Sequence, residues 1–155
     1  MPFWKGDSVG RPYELGRAQG AYLREMSTGD PAAARNRAVQ GGLDDNATNN
    51  LLAYLAEQRA TTGTVPDDQT IVVEKFHDEL GDWRLAVHSP FGAQVNGPWA
   101  LAITAQLRER YEGDLQVLHS DDGIIIRVPE TDTPPDLAGI IVEAGDVERA
   151  VGGRG

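Results

Sequence analysis

The hydrophobic periodicity of this 155-residue chain first changes near Gly63, and that change limits the fold to a few possibilities. Before Gly63, apolar residues such as Leu15, Ala18 and Tyr22 recur three or four positions apart, which is typical of one face of a helix. After it, β-branched and aromatic residues alternate with polar ones, which is typical of strands with one buried face. The sequence therefore predicts helices first and a sheet afterwards.

The N-terminal part predicts about three helices, and capping residues set their ends. The first begins at Pro12 and the second at Asp30-Pro31, because Asp is a good N-cap and Pro favours the first helical position. The third covers 45–61 and ends before Gly63. Residues 1–11 contain Pro2, Gly6 and Gly10 and predict a loop or edge strand.

Two β-hairpins with a helix between them are expected after the three helices. The predicted strands are 70–77, 83–89, 115–119 and 124–128, and the helix runs from Gly97-Pro98 to about Glu112. Asp122-Gly123 is expected to form the second hairpin's turn, since that pair accepts positive φ values. Hairpins without β-α-β alternation indicate an antiparallel sheet and an α+β fold.

The chain is expected to form a single domain, 1–155, whose last part is weakly determined by the sequence. Residues 131–155 form this tail. Within it we expect a fifth strand over 137–142 and a helix start over 146–151.

Composition excludes several classes of protein. A formal charge of −10 argues against a free-standing nucleic-acid binder, because neutralising phosphates requires a basic surface. The absence of cysteine excludes disulfide scaffolds, thiolate zinc sites and Fe–S clusters. There is neither a signal-peptide pattern nor an apolar run of the ~20 residues that a membrane span needs, so we expect a cytoplasmic protein.

The charge is unevenly distributed along the chain. Residues 1–40 contain six basic and four acidic residues, a net +2, whereas residues 41–155 carry a net −12. Coulomb attraction therefore favours the N-terminal part for any contact with a polyanion.

No group of residues predicts a catalytic or metal site. The phosphate-binding GxxxxGK[ST] loop, the GxSxG elbow and the HExxH motif are all absent. Asp121-Asp122 is interpreted as turn acids rather than metal ligands. His88 and His119 lack a third ligand. The acids around the first hairpin are interpreted as a solvated, charged turn: Glu74, Asp78, Glu79 and Asp82.

The most unusual local feature is Phe3-Trp4-Lys5-Gly6, followed by Arg11-Pro12. The Trp4 ring offers a face on which a nucleobase can stack, and Lys5 and Arg11 could contact phosphates. The alternative is that Phe3 and Trp4 fill the core beneath the first helix. The residues alone leave both interpretations open.

Long segments of the sequence resemble one family. They are PFWKGDSVGRPYELG (2–16), NATNNLLAYLAEQRATTGTVP (46–66), TIVVEKFHDELGDWRLAVHSPFGAQVNGPWALAI (70–103) and HSDDGIIIRVPE (119–130). With them the chain resembles part of the Lhr (large helicase-related) proteins, superfamily 2 DEAD/DEAH-box helicases. The similar region is their DEAD/H-associated domain, which follows two motor domains and a winged helix.

The resemblance implies a parent enzyme that uses ATP to track 3′-to-5′ along single-stranded DNA and to unwind duplexes, RNA:DNA hybrids included, in DNA repair. This chain has neither the phosphate loop nor a DExH box, so we expect a non-enzymatic accessory domain excised from a larger helicase. ATP and Mg²⁺ would belong to the motor domains, with no cofactor in this chain. Its expected partners are the motor and winged-helix domains of the same polypeptide and single-stranded DNA or an RNA:DNA hybrid, with no membrane.

The resemblance also strengthens the nucleic-acid interpretation of the N-terminal residues. It implies that Trp4 stacks on the tracking strand and that Lys5 and Arg11 contact phosphates or neighbouring domains. Arg84 and Arg127, on predicted strands, are further candidates for nucleic-acid contact. The alternative function is a protein–protein interaction or scaffold module without direct nucleic-acid contact.

Overall fold

A helical layer precedes a four-stranded antiparallel sheet in the computed structural model, which describes residues 10–111, 113–129 and 134–140. The helices are α1 (Tyr13–Thr28), α2 (Pro31–Gln40), α3 (Asp45–Thr62) and α4 (Ala93–Arg108). The strands are β1 (Val72–His77), β2 (Trp83–His88), β3 (Gln116–Ser120) and β4 (Gly123–Val128). This architecture confirms the α+β prediction, with two hairpins flanking a helix and three helices before them.

Capping residues set the ends of α2 and α3 as the sequence predicts. The Asp30 carboxylate accepts a hydrogen bond from Ala33 N at 3.2 Å, with Pro31 as the first helical residue. Gly63 ends α3 at a φ of +78°, a conformation that residues with a Cβ seldom adopt. Local sequence therefore determines these boundaries.

The sheet has the strand order β1-β2-β4-β3, so the two hairpins join through β2 and β4. In this register Leu85 lies opposite Ile126 and Val87 opposite Ile124, and all four side chains are buried. Helix α4 covers this face with Ile103 and Leu107, and the core of the sheet layer lies between α4 and the sheet. We call the helix-covered side the inner face and the other side the outer face.

Helix α1 connects the two layers by close packing. A Cβ built on Gly16 would lie 2.0 Å from the carbonyl oxygen of Pro90, so only glycine lets the helix approach the β2–α4 connection. Two turns further on, Arg24 makes a two-bond salt bridge to Asp68, which follows α3, at 2.8 and 3.2 Å. A separate core holds α1, α2 and α3 together: Met26, Ala34, Ala38, Leu55 and Val65.

The start of α4 differs from the prediction. The helix begins at Ala93, four residues before Gly97, and Pro98 lies inside it. The physical reason lies in distant sequence, because the carboxylate of Asp121 accepts a hydrogen bond from Ala93 N at 2.8 Å and so caps the helix. A proline at the expected N-terminus was therefore misleading.

The second hairpin's turn also differs from the prediction. Ser120 lies opposite Gly123, so the turn consists of Asp121 and Asp122, and no described residue other than glycine has a positive φ. Gly123 is required for another reason: a Cβ there would lie 2.0 Å from the Val87 carbonyl oxygen. The glycine thus lets β4 approach β2 rather than forming the turn.

The end of the chain departs from the prediction as well. Leu137–Ile140 form a 3₁₀ turn rather than the expected fifth strand, and Trp99 Nε1 donates a hydrogen bond to Ile140 O at 3.1 Å. Residues 141–142 and the helix start predicted over 146–151 lie outside the described residues.

Replacing Gly123 by alanine tests the close approach of β4 to β2. We expect Gly123→Ala to lower the free energy of unfolding by about 1–3 kcal/mol, because the new methyl group overlaps the Val87 carbonyl. Urea denaturation measures this. Gly42→Ala is the matched control, since Gly42 also has a positive φ, +92°, but a Cβ there would have no neighbour within 4 Å. Equal stability of the two variants would contradict the close approach.

Candidate nucleic-acid interface

Arg11 is held against the body of the domain by backbone and side-chain bonds. Its backbone N–H donates to Asp121 Oδ2 at 2.9 Å. Its guanidinium donates to Asp122 Oδ1 at 2.8 Å and to the carbonyl oxygen of Pro90 at 3.5 Å. Arg11 therefore joins the β3–β4 turn to the β2–α4 connection.

The carboxylate of Asp121 is the common acceptor at this place. One oxygen accepts from Ala93 N and the other from Arg11 N. These two backbone N–H groups, with Ala93 the stronger, hold the pKa of Asp121 below its ordinary value, because they stabilise the charged form. One side chain therefore joins the N-terminal segment, the β3–β4 turn and α4.

Asn96 makes further hydrogen bonds beside Asp121, from the buried side of α4. It is fully buried on α4, and its amide Nδ2 donates to the carbonyl oxygens of Ser89 at 3.2 Å and Ser120 at 2.9 Å. We call the group Arg11, Ala93, Asn96 and Asp121 the Asp121 junction. Sequence reasoning treated Asp121 as a solvated turn acid and missed Asn96, although an amide among the apolar residues of a helix is a usable signal.

Arg84 and Arg127 lie side by side, as direct cross-strand neighbours of β2 and β4. Two like charges in this position would repel each other, but each has its own carboxylate. Arg84 Nε lies 2.8 Å from Asp78 Oδ2, and Arg127 Nε lies 2.6 Å from Asp82 Oδ2. The positive charge of both guanidinium groups is thus locally balanced.

Burial alone would raise the pKa of Asp78. Hydrogen bonds from Arg84 and from the backbone N–H groups of Leu80 and Asp82 outweigh that effect and leave the pKa below its ordinary value. Asp78 therefore stays ionised beside Arg84 at neutral pH, and the ion pair persists.

The structure does not bring the described candidate residues into one site. Arg84 and Arg127 lie at the β1–β2 turn end of the sheet, whereas Arg11 touches Pro90, six residues beyond Arg84. A strand rises about 3.3 Å per residue, so the two positions are roughly 20 Å apart. Trp4 and Lys5 lie outside the described residues, and nucleic-acid contact at all five positions stays a prediction.

His88 and His119, the two histidines considered above as possible metal ligands, have separate surroundings. His88 Nε2 lies 2.6 Å from Glu74 Oε2, whereas His119 lies beside Gly97 of α4. Among residues 10–111, 113–129 and 134–140, no group of three or more His, Asp or Glu could hold a metal ion. Over the same residues, no helix is long and apolar enough to cross a membrane.

An α+β domain with these elements is found in helicases. The family described as "DEAD/H associated" matches residues 65–150, more than half of the chain, and this chain belongs to that family. The matched region contains the whole sheet, α4 and most of the Asp121 junction.

The relatives are more specific than the family and confirm the resemblance to Lhr proteins. The chain is 51% identical over 152 residues to the Lhr helicase/probable uracil glycosylase of Mycolicibacterium smegmatis, covering 97% of this chain and 10% of that protein. It is 39% identical over 145 residues to the Lhr helicase/uracil glycosylase of Escherichia coli, covering 92% of this chain and 9% of that protein.

A solved structure shows the same fold. The structure of Mycobacterium smegmatis helicase Lhr bound to ssDNA and AMP-PNP matches with a TM-score of 0.85 and 50% identity, covering 97% of this chain and 19% of that one. The chain therefore spans about one tenth of its curated relatives and about one fifth of the solved chain.

Neutralising Asp121 tests the junction. Because the pKa of Asp121 is lowered in the folded state, its charge stabilises the fold at neutral pH. This contribution is lost as the pH falls below the ordinary Asp value and through the folded-state pKa. We expect Asp121→Asn to lower the urea midpoint at pH 7, and the difference from the parent to shrink at pH 3.

The exposed Asp114 provides the control for that experiment. Asp114→Asn should leave the urea midpoint unchanged at pH 7. A deficit of Asp121→Asn that is as large at pH 3 as at pH 7 would show that the carboxylate charge is not what stabilises the junction.

Proposed function

We propose that this chain is an accessory domain of an ATP-dependent, 3′-to-5′ Lhr-type helicase. In that role it contributes to holding single-stranded nucleic acid, and it packs on the motor and winged-helix domains during duplex unwinding. The observation that supports this proposal is the match of 97% of the chain, at a TM-score of 0.85, to a helicase bound to ssDNA. A cytoplasmic DNA-repair setting is part of the proposal.

The Asp121 junction fixes the point at which the N-terminal segment joins the domain. A Cβ built on Gly10 would lie 3.1 Å from Asp121 Oδ1 and 3.8 Å from Ala93 Cβ, so this end of the described chain lies directly against the junction. Trp4 precedes Gly10 by six residues, which can span at most about 20 Å. Any contact between Trp4 and a nucleic-acid strand therefore lies within about 20 Å of Gly10, apart from the reach of the side chain itself.

We assign different tasks to the three N-terminal candidates. Trp4 stacks on a base, which is typically worth ~1–3 kcal/mol, and Lys5 contacts a phosphate. Arg11 positions the segment, because its guanidinium already bonds to Asp122 and to Pro90 O. Its contribution to binding is mainly orientation rather than charge.

Arg84 and Arg127 have a smaller part in this proposal. A phosphate would have to compete with Asp78 or Asp82, each already hydrogen-bonded to its arginine. The chain's net charge of −10 likewise requires most of the cationic attraction for a strand to come from elsewhere in the helicase.

Removing the Trp4 ring tests the stacking role. In the full-length helicase, Trp4→Ala should weaken strand affinity by about 5- to 150-fold, the equivalent of ~1–3 kcal/mol, and impair unwinding more than ATP hydrolysis. Strand-displacement and ATPase assays measure the two effects. Trp4→Phe retains an aromatic face and should keep most of the unwinding rate. Parallel loss of both activities, or of neither, would refute stacking.

Replacing Arg11 tests the positioning role. Arg11→Gln removes the salt bridge to Asp122 but keeps the backbone bond to Asp121. In the full-length helicase we expect unwinding to fall several-fold with a small change in the salt dependence of strand binding, since no phosphate contact is lost. A salt dependence weaker by one full charge would instead make Arg11 a phosphate contact.

The alternative function is a protein-interaction module. It is favoured by the net −12 charge of residues 41–155 and by exposed apolar residues on the sheet. Titration of this chain with a labelled single strand separates the two functions. The nucleic-acid function predicts weak, salt-sensitive binding with quenching of tryptophan fluorescence, and the scaffold function predicts none.

A further inference from the structure

The outer face of the sheet carries large apolar side chains, and no helix of the described part of the chain covers them. Phe76 is 49% exposed, Leu118 71% and Ile125 49%, and the strand register places all three on the side opposite α4. Exposed apolar residues scattered singly need no explanation, but a group on one sheet face marks an interaction surface.

The centre of the outer face is a row of apolar residues beside a depression. Leu118, Ile125 and Ala86 lie directly opposite one another across β3, β4 and β2. Next to them Gly123 has no side chain, and the depression there has a volume of about 240 Å³. Its walls are mostly apolar, and its polar lining residues are His88, His119, Ser120 and Asp122. A leucine- or phenylalanine-sized side chain from another surface fits this shape.

The charges of the outer face favour a protein over a nucleic acid. Arg84 and Arg127 are paired with Asp78 and Asp82, and His88 lies on Glu74. A phosphate backbone approaching the described part of this face would meet no cation that is not already paired with a carboxylate. An apolar centre with balanced charges at its border is instead the composition of a protein interface.

The small share of its relatives that this chain spans indicates what covers the outer face. The chain covers 10% and 9% of the two Lhr relatives and 19% of the solved helicase chain, so most of such a polypeptide consists of other domains. A domain on the same chain is present at a high effective concentration, so a small apolar patch is sufficient to hold it.

We propose that the outer face docks this domain on a neighbouring domain of the same helicase polypeptide, with an apolar side chain of that neighbour in the depression at Gly123. The proposal rests on the proposed function and names the surface that performs the interdomain packing.

A cysteine introduced into the outer face reports whether it is covered. The chain has no cysteine of its own, and Leu118 is 71% exposed, so Leu118→Cys adds one reactive thiol without disturbing the core. Maleimide labelling of the peptide containing position 118 is followed by mass spectrometry, in this chain alone and in the full-length helicase. We expect labelling to be at least about tenfold slower in the full-length protein.

Tyr54→Cys is the matched control. Tyr54 is 59% exposed on α3, away from the sheet, and its cysteine should react equally fast in both proteins. Ile125→Cys, at the neighbouring position on β4, repeats the test should Leu118→Cys fail to fold.

Three results would overturn the proposal. Equal labelling rates in the two proteins would show an uncovered face. Protection only after a single strand is added would make the occupant a nucleic acid. Protection in this chain alone that rises with its concentration would make the occupant a second copy. Because labelling is read without nucleic acid, the result is independent of whether Trp4 stacks on a strand.

Discussion

The hydrogen bonds accepted by the Asp121 carboxylate are the constraint on which this domain depends. They connect residues from the start of the described chain, from the N-terminus of α4 and from the β3–β4 turn, which are up to 110 positions apart in sequence. A carboxylate receiving two backbone N–H groups orients both of them, and it satisfies a donor at the N-terminus of α4 that would otherwise lack a partner within the helix. This acceptor fixes the N-terminal end of α4 on the sheet, while Ile103 and Leu107 pack the rest of the helix onto the core.

The inner face, the outer face and the end of the sheet near Asp121 have different surroundings. On the inner side α4 is fixed over Leu85 and Ile126, and the outer side carries no helix among the described residues. At the end of the sheet, Gly10 lies beside Asp121. The proposed nucleic-acid contact and the proposed docking of a neighbouring domain therefore involve different parts of the sheet layer.

Local sequence was sufficient wherever the controlling interaction lies within a few residues. Asp30 caps α2, Gly63 ends α3, and the alternation over β1 and β2 identifies the first hairpin. Local sequence was insufficient where a residue distant in sequence sets the local structure. Helix α4 begins four residues before the predicted start because Asp121 caps it, and Gly123 is needed because the Val87 carbonyl lies against it. The ion pairs of Arg84 and Arg127 depend on strand pairing and could not be read from spacing.

The candidate residues for nucleic-acid contact were likewise recognisable from the sequence, whereas their contacts were not. The aromatic and basic residues near the N-terminus were recognisable from their types, and the family resemblance gave them a context. What the sequence could not supply is that Arg11 is fixed by two consecutive acids of a distant turn, or that the other arginines lie at the far end of the sheet.

The close contact of Gly16 with Pro90 has a mechanical consequence. Together with the Arg24–Asp68 salt bridge about two turns further along the helix, it fastens α1 at two points, one on the sheet side and one on the α3 side. A helix held at two points along its length cannot pivot about either one. A pull on the N-terminal segment would therefore be shared between the sheet and the connection that follows α3, instead of loading one contact alone.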